Sequence, residues 1–133
     1  MTSLAKLLCV DDDEDTLIIT KYSLKDLKDV DIKWATSGEE AIEVALQFRP
    51  DLILLDVMMP KMDGVATLNA IRKLQPIAHV PIIFFTAKVQ KEEVFSYIHL
   101  PGVIGVIVKP FDPLTLGSRI LAIWKKYVAE SSQ

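Results

Sequence analysis

Five short apolar runs alternate along this chain with segments whose apolar residues recur every three or four positions, and that alternation constrains the fold more than any other feature. The runs occupy residues 4–10, 31–35, 52–55, 82–85 and 103–108. Each is far shorter than the ~20 apolar residues that a membrane-spanning helix needs, and each is the right length for a buried strand. Between them lie helical patterns. Residues 14–26 place Leu17, Leu24 and Leu27 on one face, with acids in the first turn where the helix dipole favours them. Ser37 and Glu40 form a capping box, and the helix that they open carries Ala41, Ala45 and Phe48 inward and stops before Pro50. Residues 64–74 turn Val65, Leu68 and Ile71 inward, residues 91–99 use Val94, Phe95 and Ile98, and residues 114–129 bury Leu116, Ile120, Ile123 and Tyr127 or their near neighbours. Five strands alternating with five helices predict an α/β architecture, a doubly wound parallel sheet covered on both faces. The second run alternates polar and apolar residues (Asp31, Ile32, Lys33, Trp34), which marks a half-exposed edge; the other four read as interior strands, or at least as strands covered on both faces.

In an open parallel sheet every strand ends on the same rim, where ligands bind. The residues just past the apolar runs are Asp11 and Asp12, Asp56, Thr86 and Lys109. After Asp56 the strand cannot continue: Pro60 has no amide donor and Asp63-Gly64 favours a turn. One such acid is ordinary, and each of the others has an innocent explanation as a helix cap, a solvated charge or a snorkelling amine. Four coincidences in register are not ordinary. Clustered carboxylates repel and call for a cation, and oxygen ligands suit Mg²⁺. A carboxylate can attack phosphorus to give an aspartyl phosphate, with the metal, an amine and a hydroxyl to neutralise and position the phosphoryl oxygens.

Val10 to Asp15 (VDDDED), Asp51 to Gly64 (DLILLDVMMPKMDG), Phe85 to Ala87 (FTA) and Lys109 to Phe111 (KPF), in this order, resemble the receiver domain of two-component response regulators. The resemblance covers residues 4–129. It implies a flavodoxin-like receiver fold with strand order 2-1-3-4-5. It also implies that Asp56 accepts a phosphoryl group from a histidine kinase or histidine phosphotransfer protein. Asp12, Asp56 and the backbone carbonyl of Met58 would hold Mg²⁺, with Asp11 helping through water. Lys109 would bridge to the phosphoryl group and Thr86 would hydrogen-bond it in the active state. The Lys109-Pro110 bond is cis in the family. Signalling would run through protein contacts with a downstream target, and a homodimer through the surface of the fourth helix, fifth strand and fifth helix is a further implied partner. The domain would be a phosphoacceptor rather than an enzyme acting on a separate substrate. One position departs from the pattern. Three residues before the lysine the family commonly carries a switch aromatic, and here Val106 stands there, which puts the usual coupling to Thr86 in doubt. Lys88 and Met58 occupy the positions that tune phosphoryl lifetime.

Three other readings compete. A flavin-binding protein of this architecture needs a phosphate cradle after the first strand, where this chain has five acids, Asp11 to Asp15. A phosphatase with an aspartyl nucleophile needs a second acid two residues on, where Met58 stands. A receiver-like interaction module that works without phosphorylation would lack some acceptor residues, and all are present.

With 133 residues the chain is expected to be a single domain, 1–133, large enough to fold without disulfide or structural metal. Its one cysteine, Cys9, lies in an apolar run and reads as a core residue of a reducing compartment. No signal peptide precedes it, so a cytoplasmic location with no membrane is expected. A net charge of −3 argues against a nucleic-acid partner. The basic pairs Arg72-Lys73 and Lys125-Lys126 read as solvated helix faces, and His79 and His99 receive no role. Trp124, Tyr127 and Phe95, beside the fifth strand, read as core, with a partner surface as the alternative.

Overall fold

A computed structural model describes residues 3–87 and 90–131. The strands are β1 (Lys6–Val10), β2 (Asp31–Ala35), β3 (Leu52–Asp56), β4 (Ile82–Thr86) and β5 (Val103–Val108). The helices are α1 (Glu14–Ser23), α2 (Gly38–Phe48), α3 (Gly64–Arg72), α4 (Lys91–Ile98) and α5 (Leu116–Ser131), with a short 3-10 turn at Gln75–Ile77 that the sequence pattern did not reveal. All pairings are parallel and the strand order is β2-β1-β3-β4-β5. This is the expected doubly wound sheet in the expected order, with β2 and β5 at its edges, and burial alternates along β5 accordingly.

The strand pleat sends alternate side chains into two cores. On one side Leu8, Val10, Ile53, Leu55, Ile82 and Phe84 meet Ala41 and Ala45 of α2 and Leu68 and Ile71 of α3. On the other, Leu7, Cys9, Leu52, Leu54, Ile83, Phe85 and Ile107 meet Leu24 and, from α5, Leu116, Ile120 and Trp124. β1, β3 and β4 are buried almost throughout because both faces are covered. Cys9 is buried, and burial pushes its thiol well above the ordinary range.

Helix ends follow local chemistry. Asp13, Ser37 and Asp63 cap α1, α2 and α3 by accepting from backbone amides. The expected box at α2 is displaced by one residue: Ser37 Oγ takes the Glu40 amide at 3.0 Å, but Glu40 Oε1 takes the amide of Thr36 at 2.6 Å. A complete box does form at α4 between Gln90 and Glu93. α1 ends at Ser23, so Leu24 and Leu27 pack from the connection that follows rather than from the helix.

Two expectations, on α4 and on Arg72, need correction. Phe95 and Ile98 of α4 face out, 66% and 40% exposed, and the helix packs instead through Tyr97, whose ring meets Phe84 edge-on at 5.4 Å. With apolar residues at 94, 95, 97 and 98, two helix faces were open to choice. Late in α5 Trp124 is the buried anchor, as its reading as core expected, with Ile123 and Tyr127 packed beside it. Arg72 is no solvated charge. Its guanidinium donates to the carbonyls of Pro101 (2.9 Å), Ala78 (3.1 Å) and Val80 (2.8 Å), joining the loops before β4 and β5, and burial lowers its pKa. Among the described residues no helix is long and apolar enough to cross a membrane.

Candidate functional site

β1, β3, β4 and β5 end on one rim, and their following residues converge there. Asp11 comes straight off β1, held by its amide's bond to the Ala35 carbonyl at 3.1 Å. It is 2% exposed and both carboxylate oxygens are engaged. Oδ1 accepts the Asp13 amide at 2.9 Å and Oδ2 accepts Lys109 Nζ at 2.7 Å. Asp56 is the last residue of β3, in register with Phe85 of β4, and is 3% exposed. Its Oδ1 accepts the Met58 amide at 3.3 Å and lies 3.4 Å from Lys109 Nζ. Asp12 is exposed at the mouth, and the carboxylates of Asp11, Asp12 and Asp56 offer oxygens all within 4.8 Å of one another.

The turn after β3 is shaped to keep Asp56 in place. Gly64 donates its amide to the Val57 carbonyl at 2.8 Å, and a Cβ there would lie 2.5 Å from the Asp56 carbonyl oxygen. Only glycine allows α3 to start so close to the strand it follows. Lys109 is brought in from β5: its amide donates to the Thr86 carbonyl at 2.7 Å, and the following Lys109-Pro110 bond is cis, as the resemblance implied. Thr86 is 2% exposed at the end of β4.

Electrostatically the site has more acid than base. Burial first, and the neighbouring Asp11 second, push the Asp56 carboxyl up to about 7, although Lys109 pulls the other way. One ammonium does not balance three carboxylates. Oxygen donors in an acid-rich, largely buried cluster are the set that a hard dication takes, so the residues present fit Mg²⁺. A cation there would favour the ionised, nucleophilic form of Asp56.

The structure thus brings together Asp11, Asp12, Asp56, Met58, Thr86 and Lys109. Met58 is 69% exposed beside Asp56. Lys88 lies outside the described residues. Val106 is half-buried opposite Phe84, and the aromatic ring in that neighbourhood comes from Tyr97 of α4. His79 and His99 stay away from the rim; His99 Nδ1 lies 2.8 Å from the Phe95 carbonyl of its own helix. The sequence reading missed Phe85. Its ring lies under the Lys109 ammonium, 4.9 Å from centroid to Nζ. Inside a continuous apolar run it carried no signal of its own beyond preceding Thr86.

Comparison with known proteins points the same way. The family described as response regulator receiver domain matches residues 7–121. The alkaline phosphatase synthesis transcriptional regulatory protein PhoP of Bacillus subtilis is 35% identical over 121 residues, 91% of this chain and 49% of that protein. A transcriptional regulatory protein CpxR homolog of Haemophilus influenzae is 35% identical over 129 residues, 97% of this chain and 54% of that protein. The chain therefore spans about half the length of these curated relatives. Among solved structures, the chemotaxis protein CheY4 of Vibrio cholerae superposes with a TM-score of 0.80 at 30% identity, covering 91% of this chain and 99% of that one. The receiver domain of AraT, a response regulator from Geobacillus stearothermophilus, superposes with a TM-score of 0.78 at 26% identity, covering 98% and 100%.

Proposed function

The chain belongs to the response regulator receiver domain family, and from that membership we propose that it is a phosphorylation-dependent switch whose acceptor is Asp56. Receiver domains are signalling domains of two-component systems. They interact with histidine kinases or phosphotransfer proteins and generally bind Mg²⁺ at an acidic pocket. The observation that carries the reading for this chain is a buried carboxylate, Asp56, beside one ammonium and inside a three-acid cluster.

In the reaction an Asp56 oxygen bonds to phosphorus while the bond from phosphorus to the donor's leaving atom breaks. The leaving group, the imidazole of a phosphohistidine, departs with the bonding pair. Asp12, Asp56 and the Met58 carbonyl would hold Mg²⁺, with Asp11 assisting. The bound ion would supply positive charge that keeps Asp56 ionised and offsets the phosphoryl oxygens. Lys109 pairs with Asp11 at rest and reaches the phosphoryl group once it arrives; Thr86 donates its hydroxyl to the same group. The added charge, roughly −1 to −2, draws both side chains and their loops inward. Output then passes by protein contact. The exposed apolar residues Phe95, Ile98 and Val108 support a face on α4 and β5 for a target or a second copy.

The test is intact mass after incubation with Mg²⁺ and acetyl phosphate. Wild type is expected to gain one phosphoryl adduct; Asp56→Asn and a chelated sample are expected to gain none. Equal labelling of Asp56→Asn would overturn the acceptor assignment, and absence of an adduct on wild type would overturn the switch itself.

A further inference from the structure

We propose that Phe85 is a positioning residue for phosphoryl acceptance, its ring face seating the Lys109 ammonium over the rim through a cation–π contact. The inference rests on the reading of Asp56 as acceptor and goes beyond it by naming what holds the lysine.

Lys109 Nζ has three neighbours of different character. It is 2.7 Å from Asp11 Oδ2, 3.4 Å from Asp56 Oδ1 and 4.9 Å from the Phe85 centroid. Phe85 is 1% exposed and packs beside Phe111, with ring centroids 5.2 Å apart. Burial of this degree holds the ring in place. Beside this arrangement a groove of about 280 Å³ opens to solvent, lined by Lys109 itself together with Ile19, Pro110 and Phe111. An ammonium on a flexible stem has a standing alternative there: it can leave through the groove and hydrate.

The ring acts on that alternative. A hydrogen-bond acceptor would hold the ammonium at one point, whereas the face of an aromatic ring attracts a cation over several ångströms with little directional demand. Lys109 has to exchange Asp11 for a phosphoryl oxygen on Asp56, and Phe85 sits in register with Asp56 on the neighbouring strand. A partner of this kind stays attractive at both ends of the exchange. It does not choose between them. It keeps the ammonium out of solvent, so that the competent population stays high. With the Lys109 side chain 15% exposed, the attraction lies between the exposed and the desolvated ends of its range.

The test replaces Phe85 by 4-fluoro-, 3,5-difluoro- and 3,4,5-trifluorophenylalanine. These keep the ring's shape and progressively weaken its negative face. Phosphorylation by acetyl phosphate with Mg²⁺ is followed by intact mass: an Asp56 oxygen bonds to phosphorus, the bond to the acetyl oxygen breaks and acetate leaves. The rate is expected to fall stepwise with fluorine number, by about threefold to tenfold across the series, with an unchanged thermal midpoint. A flat rate across the series would reduce Phe85 to packing and overturn the inference. The second readout needs no phosphate. In a spectrum of ¹³C-labelled lysine, the Lys109 ε-CH₂ protons are expected upfield from the ring current and to return to the ordinary position in Phe85→Leu. An unshifted Lys109 in wild type would also overturn the inference. If wild type takes no phosphate but shows the upfield signal, the acceptor assignment fails and the seating of the ammonium stands.

Discussion

Asp56 is held in a position that disfavours its own charge. Burial and the adjacent Asp11 raise its pKa from the ordinary value of 3.8 to about 7. In the absence of metal the neutral form is therefore the comfortable one. The stability that goes with it is fully present below pH ~4 and is lost as pH rises through about 7. At pH 8 the unliganded protein carries a buried anion that Asp56→Asn removes. The variant is expected to be more stable than wild type by roughly 1–2 kcal/mol at pH 8, about 3–6 °C in melting temperature, and the difference is expected to vanish near pH 4. Urea denaturation of both proteins across that range, with chelator present, checks the sign; a difference independent of pH would contradict the cause given. Saturating Mg²⁺ is expected to close the gap at pH 8. At this scale the sequence was legible where chemistry sits at the end of a hydrophobic run: Asp11, Asp12, Asp56, Thr86 and Lys109 each break one. Phe85 and Arg72 were not legible. Phe85 is one apolar residue among several, and Arg72 has the pattern of any helix-end charge until three carbonyls are found around it.

Among the elements, α4 is the least embedded. No residue of it is fully buried, and its hold on the body of the molecule runs through Tyr97 against Phe84. Elements with few buried contacts open first. Burial first, and the carboxylates of Glu93 and Asp63 after it, raise the pKa of the Tyr97 phenol. Tyr97→Ala is expected to cost α4 about 1.5–3 kcal/mol of local stability and to speed amide exchange within Lys91–Ile98 about tenfold to a hundredfold. Exchange in β1 and β3 is expected to change little; an even increase across all elements would show that Tyr97 supports the whole core instead. Strand and helix types followed from periodicity, but the inward face of α4 did not. Its apolar residues occupy two faces, and only contact with Phe84 selects one. The composition of β5 alone did not mark it as an edge, since α4 and α5 cover both its faces; the strand order that the family resemblance implied did.

Across the whole molecule, reactive and structural polar groups sit at opposite ends of the sheet. Asp11, Asp56 and Lys109 occupy the ends of the strands. At the starts, Asp51 receives the amides of Ala5 and Lys6 at 3.1 and 2.9 Å, and Arg72 ties the loops that lead into β4 and β5. Five residues of strand separate the two, roughly 16 Å, more than the ~8–10 Å over which charges are felt at physiological salt. Arg72→Met is therefore expected to destabilise the fold by roughly 1–3 kcal/mol, because it leaves the part-buried carbonyls of Ala78 and Val80 without this donor, while phosphoryl acceptance at a temperature where the variant is folded stays near the wild-type rate. Denaturation and the acetyl phosphate assay, run on the same sample, separate the two effects; a proportionate loss of rate would show that the ends are coupled. The same polarity has a practical side. Ser3 and Leu4, where the described chain enters, line one cavity with Val128 and Ala129, close to where it leaves, so both ends depart from the side away from Asp56. A molecule tethered to a sensor chip or a bead through the side where Ser3 and Ala129 lie would present its acid cluster outward to whatever flows past.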